Sequence, residues 1–261
     1  MNEVITHNLG VSNFRLMHID RPLLTLLSTG TPMFFLYWCF TEFSWMGLLA
    51  IYLVASLLTM VRSIFGHRIW AHKGAELHPR LESVGLFLFT LGCIGSSIGF
   101  TGLHRAHHRY SDTAKDPHSP THVSILKILL YIPYAKYEIK YAIDLIRSKK
   151  HVWYLKHYWT INVLFWSLLY WIDPTFLTIW IAGVGVNIFK ANMVNVIGHT
   201  IGQVKPRNAM LSSFLFLDGE FLHGNHHDDP ANWNFSKKWY QIDLSALVLR
   251  LLVWRKLATF K

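Results

Sequence analysis

Long apolar runs alternate with short polar breaks along this chain, in a way that a water-soluble fold does not require. Leu23 to Phe40 is apolar, interrupted only by small residues and Pro32. Thr41 to Trp45 breaks the run, and Met46 to Phe65 resumes it. A second pair comes much later: Tyr158 to Ile172, a break at Asp173-Pro174, then Thr175 to Ile197. At about 1.5 Å per residue, a run of about 20 apolar residues matches a hydrocarbon core of about 30 Å. The pattern predicts an all-α integral membrane protein with four transmembrane helices in two hairpins, at about 23–40, 46–65, 158–172 and 175–197. Trp38, Trp45, Trp159, Trp171 and Trp180 fall near the span ends, where an interfacial aromatic belt would place them.

Charge orients the spans. No Lys or Arg occurs between Pro22 and Val61 or between His157 and Phe189, and Lys190 falls near the inner end of the fourth span. By the positive-inside rule, residues 1–22, 66–157 and 198–261 are expected on the cytoplasmic side. Ser83 to Phe100 is apolar but holds four glycines and three serines, and it is expected to be re-entrant or interfacial rather than spanning. Leu244 to Leu257, carrying Arg250, Arg255 and Lys256, is expected to be an amphipathic helix on an anionic leaflet.

Composition agrees: 52% of the 261 residues are hydrophobic and only 15% charged, low for a soluble domain of this length. The net charge of +10 is spread over several polar segments with no nucleic-acid module, so no nucleic-acid partner is expected. Cys39 and Cys93 sit in apolar surroundings and read as small buried hydrophobes.

The candidate chemistry lies in the polar segments. Nine histidines fall into four clusters: His67 and His72; His104, His107 and His108; His199, four residues after Asn195; and His223, His226 and His227. The spacings i, i+3 and i+4 put imidazoles on one helical face. His67 and His72, at i and i+5, diverge on a straight α-helix, so this pair either straddles a helix end or serves two metals. Nine imidazoles are too many for one ion and suit two. An all-nitrogen site fits redox-active iron better than the oxygen-seeking magnesium or calcium. Asp112, Asp116, Glu220, Asp228 and Asp229 lie close enough in sequence to orient the rings. Glu220 is the first choice among them, because it precedes His223 by three residues. His118 is a candidate for an outer or structural role. His7, His18, His78, His122, His151 and His157 read as ordinary polar-surface residues.

The order HRxxxH, HRxHH, HxxHH resembles the membrane fatty acid desaturase family. The stretch from Thr101 to Asp112, Asp116-Pro117-His118-Ser119-Pro120, Gly219-Glu220 and the run Trp239 to Ser245 are similar to its stearoyl-type branch. The resemblance covers about Met46 to Leu257. It implies a cytoplasmic helical cap holding a di-iron centre on the nine histidines, with Asn195 acting through water. It also implies O₂-dependent insertion of a cis double bond, at the ninth carbon, into a saturated long-chain acyl group of an acyl-lipid or acyl-CoA. Electrons then come from an external ferredoxin or cytochrome b5-like donor docking on the cytoplasmic face. The setting implied is the bacterial cytoplasmic membrane, or the endoplasmic reticulum in a eukaryote. Gly224 replaces a usual Asn between ligand positions, and Asp228-Asp229 replaces a small apolar residue beyond them. Gly102-Leu103 stands where animal acyl-CoA desaturases carry Arg-Asp, which aligns the chain with bacterial and plant relatives. Two other readings compete. A hydroxylase on the same scaffold would add oxygen instead of removing hydrogen. A non-enzymatic membrane metal-binding protein would need ionisable residues along the spans, where Lys190 stands almost alone.

Overall fold

Each of the four apolar runs forms a helix. A computed structural model describes residues 21–129, 138–199, 205–209 and 217–261, so the N-terminal arm and parts of the middle loop and tail lie outside the described residues. Helix α1 runs Arg21–Thr41 and α2 runs Trp45–Val61, started by Ser44, whose hydroxyl accepts the Gly47 N–H at 3.0 Å. Helix α2 continues without a break as a π-helix, Arg62–Ala71. Strand β1 (Ala75–Leu77) leads to α3 (Pro79–Leu91), α4 (Ser97–Tyr110) and the short α5 (Ile125–Leu129). A 3₁₀ turn at Ile139–Ala142 precedes α6 (Ile143–Ile146) and α7 (Lys149–Lys156). Helices α8 (Tyr158–Ile172) and α9 (Pro174–Gly198) are separated by Asp173, which accepts the Thr175 N–H at 2.7 Å while Pro174 takes the first helical position. The chain ends with α10 (His223–Asp228), α11 (Leu244–Trp254) and β2 (Ala258–Phe260), which pairs antiparallel with β1, Ala75 opposite Phe260.

Two of these helices are long and apolar enough to cross a membrane: Trp45–Ala71 with 27 residues and Pro174–Gly198 with 25. Helix α1 has 21 residues and α8 has 15. Helix α9 packs against α1, α2 and α8. Gly183 lets α9 come close to α2: a Cβ there would stand 2.5 Å from Val54 Cγ1.

The 83–100 stretch is not one helix. It breaks after Leu91 and restarts at Ser97, whose N-cap Ser96 accepts the Gly99 N–H at 3.0 Å. Its first part, α3, has 13 residues and is about 20 Å long, shorter than a hydrocarbon core of about 30 Å. The π-helix packs directly against α4.

Several single-residue expectations change. Trp45 and Trp171 are exposed as expected, but Trp38 is buried against Phe35 and Phe43. His151 is not on the surface. It is buried, with Nδ1 2.8 Å from Ser97 Oγ, and it joins α7 to α4. His78 caps α3, and His122 reaches the Asp112 carbonyl at 2.9 Å. His7 and His18 lie outside the described residues. Both cysteines are free, Cys93 buried and Cys39 half-buried.

Candidate metal centre

The π-helix explains the i, i+5 pair. A π-helix closes i→i+5 hydrogen bonds, so residues five apart stack about one turn above each other. The His72 N–H donates to the His67 carbonyl at 3.1 Å, and the two rings stand 5.1 Å apart. His72 caps the end of that helix, so the pair straddles a helix end and points one way, not to two separate metals.

The nine imidazoles converge in two groups. One holds His67, His72, His104, His108 and His226, and the other holds His107, His199, His223 and His227. Two helices divide their histidines in mirrored fashion. From α4, the i, i+4 pair His104 and His108 joins the first group and His107 the second. From α10, the pair His223 and His227 joins the second and His226 the first. The groups touch where the His108 and His227 rings stack at 4.2 Å. Gly198 makes room for His223, since a Cβ at Gly198 would collide with that ring.

Carboxylates hold the rings from behind. Glu220 accepts from His67 Nδ1 at 2.8 Å, Asp116 from His107 Nδ1 at 2.8 Å, and Asp112 from His199 Nδ1 at 2.9 Å. Each of these bonds places the proton on Nδ1 and leaves Nε2 with a bare lone pair. Those lone pairs face other Nε2 atoms. His67 and His226 stand 2.9 Å apart, His72 and His104 2.7 Å, and His108 and His226 2.9 Å. In the second group His199 and His223 stand 2.8 Å apart, His223 and His227 3.1 Å, and His107 and His227 3.3 Å.

Burial keeps the rings uncharged. Burial and neighbouring imidazoles hold His72, His104, His107, His223 and His226 well below the ordinary histidine value. Burial likewise brings His108 down to about 3 and lowers His227, and it lowers His199 against the opposing pull of Asp112. Neutral imidazole is the form that binds a metal. Packed lone pairs repel unless a cation stands between them. Two nitrogens at about 2.1 Å from one ion lie about 3.0–3.4 Å apart, close to the separations seen. The donor set thus fits a metal in each group.

The structure also sorts the outer residues. Glu220 serves His67, not His223, because it lies in the turn before α10 instead of on its face. Burial alone would raise its carboxyl, but His67, Arg62 and Arg68 outweigh that and hold it well below the usual range. Asp116 lacks such cations, and burial pushes it up to about 7 against the His118 and Asp112 backbone N–H groups. His118 stacks on His107 at 4.3 Å, and its buried Nε2 has no hydrogen-bond partner. Asp228 pairs with Lys237 at 3.2 Å, and Asp229 accepts from Asn232, so neither orients a histidine. Asn195 stands one turn before His199, whose N–H donates to its carbonyl at 3.1 Å. Its carboxamide makes a long bond, 3.5 Å, to the Ala191 carbonyl.

No family model matches the chain. Individual proteins do. It is 27% identical over 237 residues to "Delta-9 acyl-lipid desaturase 1" of Arabidopsis thaliana, covering 84% of this chain and 76% of that protein. It is 28% identical over 203 residues to "sn-1 stearoyl-lipid 9-desaturase" of Synechocystis sp., covering 71% and 62%. With "Acyl-CoA Delta(11) desaturase" of Trichoplusia ni it shares 26% over 247 residues, covering 84% and 69%. These similarities, to desaturases over most of the chain, support the membrane fatty acid desaturase family for it. Like the desaturases it resembles, it is an oxidoreductase, and its four sequence clusters build the paired histidine groups.

Proposed function

We propose that this desaturase inserts a cis double bond, at the ninth carbon, into a saturated long-chain acyl group carried on a lipid. The observation that supports it most is the convergence of nine imidazoles into two adjacent donor sets. We assign His67, His72, His104, His108 and His226 to one iron, and His107, His199, His223 and His227, with Asn195 through water, to the other. When bound, the iron pair supplies reduction of O₂ and removal of two hydrogens from neighbouring methylenes. The balance is one acyl chain, one O₂, two electrons and two protons in, and one alkene and two waters out. The protein's residues contribute position and dryness: Glu220, Asp116 and Asp112 fix ring tautomers, and burial of the imidazoles excludes bulk water.

Acyl-lipid is the favoured carrier because two of the relatives above act on lipid-linked chains by name, and Gly102-Leu103 lacks the Arg-Asp pair of the animal acyl-CoA pattern. We place all four helices α1, α2, α8 and α9 across the membrane. Their exposed large apolar residues, Met33 and Leu36, Leu53 and Leu57, Leu164 and Leu168, and Phe176, suit lipid contact. The histidine groups then lie on the cytoplasmic side with the basic segments. Exposed Arg109 and Lys115, beside the histidine-bearing helix, offer an acidic ferredoxin or cytochrome b5-like donor a docking surface.

The test is a reconstituted assay with iron-loaded protein. Two irons per chain, and product formation requiring both O₂ and a reduced donor, are expected. Full turnover with no bound iron, or under anaerobic conditions, would contradict the proposal.

A further inference from the structure

Six charged side chains are buried together beside the five-histidine group, the three cations on helices that otherwise carry almost no charge. The cations are Arg62 and Arg68 of the π-helix and Lys190 of α9; the anions are Asp218, Glu220 and Asp243. None of these side chains is more than 5% exposed, and three charges of each sign balance. Ionisable groups inside a membrane helix are costly and are retained for a task. Lys190 and Arg62 are unaccounted for by the metal site itself.

The contacts form a chain that ends on the metal-facing ring of His67. Lys190 Nζ donates to Asp218 Oδ2 at 2.5 Å. The other oxygen of Asp218, Oδ1, accepts the Glu220 backbone N–H at 3.4 Å, and the Asp218 carbonyl accepts from Ser63 Oγ at 3.2 Å and from Arg68 Nη2 at 3.4 Å. Asp218 thus ties the 217–222 segment, which has no helix or strand of its own, to both α9 and the π-helix. Arg62 bridges the two acids, 4.0 Å from Asp218 and 3.8 Å from Glu220. Ser63 Oγ at 2.5 Å and Arg68 Nη1 at 3.2 Å fix Glu220 Oε1, and Arg68 is held in turn by Asp243 at 2.8 Å and by the Phe235 ring.

We propose that Lys190, Asp218 and Arg62 are positioning residues for the five-histidine metal. They clamp the segment carrying Glu220 so that its carboxylate meets His67 Nδ1 and the His67 Nε2 lone pair points at the metal position. This rests on the two-iron reading above. Among the described residues the other group has no such clamp. Asp116 and Asp112 reach His107 and His199 from a loop held by Ser119 and by backbone N–H groups.

The two metals should therefore respond differently to the same change. Removing one member of a buried ion pair leaves an uncompensated charge, whereas removing both is tolerated. In Lys190→Met, Asp218 competes with Glu220 for Arg62. In Asp218→Asn, Lys190 and Arg62 are both released toward Glu220. Either change pulls Glu220 off His67. Lys190→Met/Asp218→Asn removes one charge of each sign, leaves Glu220 with its arginines, and keeps the position-218 carbonyl as acceptor for Ser63 and Arg68, which still holds the segment.

The experiment challenges the metal-loaded full chain in detergent with graded chelator and counts metal per chain. Cobalt-loaded samples are followed by absorption to identify which site empties. Direct loss of an outer carboxylate contact costs about 10- to 100-fold in metal affinity, so each single variant, one step further out, should lose one metal at about 3- to 10-fold lower chelator. The cobalt band lost should match that lost in His67→Ala, and the double variant should recover it. Variants that hold both metals as tightly as the parent, with only their melting temperatures changed, would overturn the inference and leave the two-iron reading intact. If a single variant fails to fold, the comparison of Lys190→Arg with the double variant decides. Loss of the same metal in both would overturn the inference, since the first keeps the charge balance and the clamp. A parent chain that takes up no metal would overturn both readings.

Discussion

His107 is held from several directions. Its Nδ1 is tied to Asp116, its Nε2 faces His227, its ring lies against His118 and His199, and it is fully buried. His107→Ala should abolish turnover and lower bound iron while the chain still inserts, measured by metal analysis of membrane-extracted protein. Glu220→Gln should weaken one metal by about 10- to 100-fold, read by chelator competition. Among single residues, the imidazoles were legible because spacing in sequence is spacing on a helix. Asp112, Asp116 and Glu220 were legible as candidates, but which ring each meets was not. Asp112 meets His199 across 87 residues, and Glu220 meets His67 across 153, separations that no local pattern encodes. Glu220 reaches an imidazole, but that of His67 and not of the expected His223.

Among the elements, the π-helix and α4 form the frame of the site, and Arg105 locks them together. Its guanidinium donates to the Trp70 carbonyl at 2.5 Å and the Ala71 carbonyl at 2.8 Å, at the open end of the π-helix, and to both oxygens of Asp144 at 2.8 and 3.0 Å. Lysine cannot reproduce that fork. Arg105→Lys should destabilise the fold by about 2 kcal/mol, read as a lower unfolding midpoint in detergent. Burial would raise the Asp144 carboxyl, but Arg105 and Lys73 hold it at about 2. Because an unfolded Asp titrates near about 3.9, this contribution is complete above that pH and is lost as the pH falls through about 2. The apolar runs read correctly as helices because hydrophobic length is a local property. The switch from α to π at Arg62 was illegible as a helix type, although the i, i+5 spacing of His67 and His72 was its trace. The break inside 83–100 was readable, as its glycines and serines collect at the turn between Leu91 and Ser97.

For the whole molecule, the proposed topology puts the breaks at Phe43 and Pro174 on one side of the membrane and the histidine-bearing segments on the other. Reporter fusions at Phe43 and Pro174 should read outside, and fusions after Ser119 and Lys261 inside. An outside reading at Ser119 would contradict the arrangement. The family resemblance was legible from motif order, and Gly102-Leu103 was the sequence cue to the acyl carrier. The reaction itself is decided by mass spectrometry of lipids from a host that lacks the activity and expresses this chain with a functional donor, with double-bond positions determined. Acyl chains two hydrogens lighter, with a cis bond at the ninth carbon that disappears with His107→Ala, are the result expected. Acyl chains heavier by one oxygen with no alkene, or an unchanged lipid profile, would contradict it.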